Sequence, residues 1–262
     1  MRNASYLFVI LCIASMNNQP PASPGNFQQP TVNSINEANG KPAVLNGPNG
    51  KMYKIDFWDD PGEKSLKLEA ANAGNCSDNH FSGADRKTAK TSPVSSGSFQ
   101  SFTNFKDIFT TFGLPADAAM ETKVNTSSPR TLIEKKGVIL NNAFLYAFKR
   151  EDDNDYHLII GDNANVKQAT LLNMEISGLP NPANTTLDNA RNAFVKALKI
   201  NDKTCMSSYV VFVDKPVPVH IEGPVFFDID HKAGTIGPVK GTVKLRPATA
   251  WEIHPILKFS LR

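Results

Sequence analysis

The 262-residue chain has no apolar run approaching the roughly 20 residues that a membrane-spanning helix needs. Neither sign of charge is in excess, since 28 Lys and Arg stand against 25 Asp and Glu for a net of +3. The first absence excludes a multi-span helical membrane protein. The second excludes a histone-like polycation with a general drive toward nucleic acid or acidic lipid. No CxxC pair or Cys/His cluster occurs, which removes a structural zinc finger. A Walker loop, a GxSxG elbow, an HExxH helix and a GxGxxG fingerprint are also missing, so nucleotide-driven chemistry and serine hydrolysis have no support. What remains, at 40% hydrophobic and 20% charged residues, is the composition of one or two ordinary globular domains.

The first residues carry a processing pattern. Arg2 precedes the apolar run Tyr6 to Ile13, and the small pair Ala14 and Ser15 follows, which reads as a secretory signal peptide over residues 1–15. Ile10 and Leu11 stand where lipid attachment at Cys12 would need small residues, so export into a secreted or periplasmic setting is expected rather than anchoring. Removing that segment leaves Cys76 and Cys205 as a candidate disulfide, with two free thiols as the alternative. Closing so long a loop stabilises a fold by about 4 to 5 kcal/mol in the chain-entropy model, where the geometry lets the sulfurs meet.

From Met16 to Gly50, Asn, Pro, Gly and Gln supply 21 of 35 residues, and Glu37 and Lys41 are the only charges. Such a stretch buries too little apolar surface to offset its ordering entropy, and a disordered tether over 16–50 is expected. Residues 51–128 read as a small accessory α+β region. Met52 to Trp58 alternates like a strand, Leu66 and Leu68 suggest another, and Ser77 to Ser101 has no period. Phe102, Phe105, Ile108, Phe109 and Phe112 form a helical stripe stopped by Gly113 and Pro115.

From residue 130 to 262 the pattern is more regular. Val138 to Phe148, Tyr156 to Ile160, and Leu172, Met174 and Ile176 alternate as three successive strands. A helix follows on Leu187, Ala190, Phe194, Ala197 and Leu198, with Thr185 or Thr186 as its N-cap and Asp188 in its first turn. Val217, Val219 and Ile221 begin a fourth strand, kinked at Gly223-Pro224 and running through Val225 to Asp230. Trp251, Ile253, Leu257, Phe259 and Leu261 share one parity of a fifth, in which Pro255 marks an edge or a bulge. Three strands, a helix and two strands is the order of an OB-type five-stranded barrel, the mainly β fold expected for this half. A split α+β sheet is the alternative.

Three segments carry a family resemblance: Glu151-Asp152-Asp153-Asn154-Asp155-Tyr156-His157-Leu158, Phe226-Phe227-Asp228-Ile229-Asp230-His231, and Ala250-Trp251-Glu252-Ile253-His254-Pro255. Together they resemble a group of exported bacterial proteins sharing a DDxDYHL-like hairpin, an FFDxxH strand end and a terminal WEIHP, a group with no established activity. The resemblance spans roughly Arg130 to Arg262 and implies one shared domain and export.

Candidate chemistry concentrates on the last hairpin. Asp228 and Asp230 share one parity, and Glu252 and His254 share another on the next strand. If Asp230 pairs with Glu252, Asp228 lies opposite His254, with His231 at the strand end, and partners so placed have Cβ atoms about 4.5–5.5 Å apart. Asp228, Asp230, His231 and His254 are therefore candidate ligands of a divalent metal, with Glu252 or His254 as the base of a metal-dependent hydrolase or nuclease. The plainer alternative is an Asp228–His254 hydrogen bond among solvated acids. His220 and Glu222 are weaker candidates. The acidic turn Glu151 to Asp155 could offer oxygen ligands, but it lacks the spacing of a calcium loop and suits a solvated hairpin tip, with His157 beside it.

The loop Lys232 to Ala250 carries Lys232, Lys240, Lys244 and Arg246 and no acid. With His157, these residues define a candidate ligand-binding surface for nucleic acid, a glycan or a partner protein on such a barrel. Tyr146, Tyr156 and Trp251 are its candidate stacking surfaces, although parity places Trp251 with the core. The leading expectation is thus an exported binding module, and the alternative is the metal-dependent hydrolase.

Overall fold

The computed structural model describes residues 43–46, 51–61, 76, 78–95, 99–203 and 206–262, all within the unit Val32–Arg262. The signal peptide with Cys12, residues 16–42 of the tether, Leu66, Leu68 and Cys205 lie outside the described residues. Cys76 is disulfide-bonded.

In chain order the elements are β1 (Ala43–Asn46), β2 (Met52–Trp58), α1 (Lys87–Lys90), β3 (Phe99–Phe102), α2 (Phe105–Phe112), α3 (Asp117–Glu121), β4 (Gly137–Arg150), β5 (Tyr156–Gly161), β6 (Leu171–Ile176), α4 (Thr185–Leu198), β7 (Tyr209–Phe212), β8 (Val217–Phe227), β9 (Val239–Lys240), β10 (Val243–Lys244), β11 (Trp251–Ile253) and β12 (Lys258–Leu261). The expected barrel is present and closed. β4 pairs with β5, β5 with β6, β6 in parallel with β11, β11 with β8, and β8 returns to β4.

β12 continues β11 along the same edge of β8. Ile253 faces Val225 and Lys258 faces Glu222, so five steps on one strand match three on the other, and the two extra residues form the bulge expected at Pro255. The expected kink at Gly223-Pro224 is absorbed within one continuous β8.

Alternation decides which side chains fill the barrel. Tyr156, Leu158 and Ile160, then Leu172, Met174 and Ile176, then Val225 and Phe227, then Trp251 and Ile253 all join one hydrophobic core. The helix α4 packs on this core through Phe194, whose ring meets Phe148, Tyr156 and Phe259 at 5.0–5.5 Å. Its N-cap is Asn184, just before the expected Thr185 or Thr186, because the Asn184 side chain accepts from the backbone N–H groups of Thr186 and Leu187. The helix α2 follows its expected stripe, burying Phe105, Ile108 and Phe112, and ends on Gly113 in the left-handed region at φ 63°.

The accessory region is part of the same sheet. β1 lies within the stretch assigned to the tether and pairs with β2, β2 pairs with β7, and β7 joins β4. The strand β7, Tyr-Val-Val-Phe, is buried at every position and so lacks the alternation that would mark it in sequence.

Candidate metal centre

The opposite parity of the same strands holds polar residues. His157 on β5, Asn173 and Glu175 on β6, Glu252 on β11, and His254 and Asp228 just past the strand ends face away from the barrel interior, yet all are buried. Two pieces of chain cover them. The segment leading into α1 is tied down by Phe81 N–H donating to Leu179 C=O and Ser82 N–H donating to Asp153 C=O, and the β8–β11 loop brings in His231.

Glu175 is fully buried at the centre. Its Oε1 lies 2.8 Å from His157 Nε2 and accepts from Asn173 Nδ2, while its Oε2 lies 2.6 Å from His254 Nδ1. Glu252 Oε1 is 3.0 Å from the same His254 nitrogen, and its Oε2 accepts from Asn173 Nδ2 at 3.0 Å. The chain of contacts runs outward from His157 to Glu151 and Lys149, and from Asp228 Oδ2 to the buried Lys90 ammonium at 2.7 Å.

His231 Nδ1 is placed differently. Three carboxylate oxygens surround it, on Glu252 at 3.4 Å, Asp228 at 3.7 Å and Glu175 at 3.9 Å. These separations exceed the usual hydrogen bond of about 2.7–3.2 Å. The shortest falls within the about 3.3–3.6 Å that tetrahedral bonds of about 2.0–2.2 Å put between ligand atoms, and the other two lie just beyond it. Glu175, Asp228, His231 and Glu252 each offer an atom within 4.8 Å of the others, and so do His157, Glu175 and His231. A cavity of about 10 Å³ touches Asn173, His231 and Glu252, roughly the room for one water.

Without a metal, these charges perturb one another strongly. Burial alone would favour neutral imidazoles, but Glu175 and its neighbours reverse that, pushing His254 up to about 10 and His157 well above its ordinary value. Asp228 and Glu252 overcome burial at His231, which is pushed up to about 9. Glu175 would be raised by burial, yet His157 and His254 hold it well below the usual carboxylate range. Burial and then Asp153 push Asp155 well above that range. Burial would lower Lys90, and Asp228, Glu175, Asp153 and Glu252 raise it instead.

Of the four expected metal ligands, the structure brings Asp228 and His231 into one group with Glu175 and Glu252, while His254 falls in a second group with Asp155 and Glu175. Asp230 is exposed and belongs to none of the ligand groups found among the described residues. The expected register is corrected: Glu252 faces Phe226 rather than Asp230, and Asp228 donates its backbone N–H to Ala250 C=O. The difference of four residues is even, so the side-chain faces survive it. His157 does not sit in solvent beside the acidic turn but joins the cluster, as Asp155 does from within that turn. Glu175, Asn173 and Lys90 were missed. The only signal for the first two was a carboxylate and an amide on the off-parity of a strand otherwise apolar.

The loop cations divide between internal and surface roles. Lys240 pairs with Asp56, and Arg246 donates to Gly237 and Gly234 C=O and lies 3.6 Å from Asp60. Lys232 and Lys244 are exposed. The candidate stacking surfaces are buried: Trp251 Nε1 donates to Pro115 C=O at 2.8 Å, Tyr156 Oη donates to Asp202, and Tyr146 Oη donates to Asn163 C=O. Their rings are therefore not available for stacking on a ligand. His220 bridges Asn141 and Glu222 apart from the cluster.

No family profile, no curated protein and no solved structure matches this chain.

Proposed function

We propose that the chain is an exported OB-fold module whose ligand is a divalent transition-metal ion, held by Glu175, Asp228, His231 and Glu252 on the outer face of the barrel. The observation that carries this reading is the set of three carboxylate oxygens 3.4–3.9 Å from His231 Nδ1, too far for strong hydrogen bonds and at or just beyond the spacing of ligands on one ion. The mixture of imidazole and carboxylate suits Zn²⁺ or Mn²⁺ better than Ca²⁺ or Mg²⁺, which prefer oxygen alone. Asn173, donating to both Glu175 and Glu252, orients the two carboxylates toward the ion. Export agrees with the N-terminal pattern and with the exported group that the barrel half resembles.

The metal-dependent hydrolase is a second reading, favoured by one observation. The small cavity at His231 and Glu252 offers room for a water beside the ion, which would activate it as a nucleophile.

The test is a thermal melt of the untagged full chain after chelator dialysis, with and without Zn²⁺ or Mn²⁺. A rise in midpoint that disappears in His231→Gln supports the reading. No shift with either ion contradicts it.

A further inference from the structure

We propose that the cluster binds a second divalent ion at Asp155 and His254, an inference that rests on the metal reading above. Both side chains are fully buried. Asp155 Oδ2 and His254 Nε2 make no hydrogen bond, and they stand 3.5 Å apart. That separation matches neighbouring ligands on one ion, about 3.3–3.6 Å for tetrahedral bonds.

The other atoms of both residues are already committed in the way a metal site requires. His254 Nδ1 faces Glu175 Oε2 at 2.6 Å and Glu252 Oε1 at 3.0 Å, so its Nδ1 proton goes to a carboxylate and Nε2 is the nitrogen left for an ion, which would displace the proton carried there in the metal-free chain. A ligating histidine is characteristically oriented by such a carboxylate on its other nitrogen. Asp155 Oδ1 accepts from the Gly178 backbone N–H, which fixes the carboxylate with Oδ2 turned to the imidazole. Glu175 is the third group within ligand reach, and Asp155, Glu175 and His254 each offer an atom within 4.8 Å of the others.

Glu175 adjoins both positions, with its Oε1 3.9 Å from His231 Nδ1 and its Oε2 2.6 Å from His254 Nδ1.

The experiment is native mass spectrometry of the untagged full chain, dialysed against chelator and then titrated with Zn²⁺. Two zinc ions per wild-type chain are expected, with one in Asp155→Asn and one in His231→Gln. Asp155→Asn keeps an Oδ1 acceptor for Gly178, and His254→Gln provides an independent variant in which one ion is again expected. A wild-type chain that saturates at one zinc overturns this inference while the metal reading stands. A chain that binds none overturns both. Two ions retained in both Asp155→Asn and His254→Gln also overturn the second site.

Discussion

His254 Nδ1 lies 2.6 Å from Glu175 Oε2, although 79 positions separate the two residues in the chain. The contact exists because β11 runs parallel to β6 with Ile253 beside Met174, which sets the next residue of each strand side by side on the same face. Glu175 meets His157 in the same way across the antiparallel β5–β6 pair, where the two are register partners. One buried carboxylate thus answers two imidazoles.

Removing it should be costly. In chelator, Glu175→Ala is expected to lose about 3–5 kcal/mol of stability, the usual result of leaving buried charges uncompensated. Urea unfolding checks this, and a loss below about 1 kcal/mol would show that the cluster is not electrostatically tied.

The Lys90 ammonium on Asp228 plays the part of a resident cation. Lys90→Met should therefore destabilise the metal-free chain by about 3–5 kcal/mol. Zn²⁺ at a hundred times its dissociation constant should restore about 2.7 kcal/mol. Paired denaturation curves with chelator and with Zn²⁺ measure both effects.

A separate ion pair sets acid stability. Glu134 is fully buried, takes both guanidinium nitrogens of Arg86 at 2.8 and 2.9 Å, and accepts from the Phe227 and Thr131 backbone N–H groups. Burial would raise its carboxyl, but these donors hold it below its ordinary 4.5. A depressed carboxylate contributes stability that is fully present above the unfolded value and lost as pH falls through the folded one. Stability should therefore fall as pH drops below about 4.5. The part due to this residue should be absent in Glu134→Gln, and denaturant midpoints from pH 7 to pH 3 compare the two proteins.

The β8–β11 loop cations should separate by role. Arg246→Ala removes the donors that hold the Gly234 and Gly237 carbonyls and should cost about 1–3 kcal/mol. Lys244→Ala, at an exposed position, should leave the urea midpoint unchanged.

Much of this fold was legible because alternation reports faces directly. The parity of Trp251 and Ile253 against Glu252 and His254 placed the first pair in the core and the second on the polar face, and the wrong register left that assignment intact. Pairing between distant strands was not legible. Nothing in Leu172 to Ile176 announces a parallel neighbour 79 residues later, so Glu175 stayed hidden in a strand read for its apolar residues alone. Lys90 comes from a segment without period, where only the tertiary path carries it to Asp228. Sequence alone leaves the acidic turn with Asp155 open between oxygen ligands and a solvated hairpin tip, and offers His157 only as part of a ligand-binding surface, because an acidic turn suits solvent equally well. Here that turn is covered by the chain around Phe81.

The most direct test of the metal centre is a crystal structure of the chain grown with Zn²⁺, using anomalous scattering at the zinc edge. The predicted result is a peak about 2.0–2.2 Å from His231 Nδ1 and from the Glu252 and Asp228 carboxylates. Anomalous peaks confined to surface carboxylates, with His231 still 3.4 Å from Glu252 and nothing between them, would contradict it.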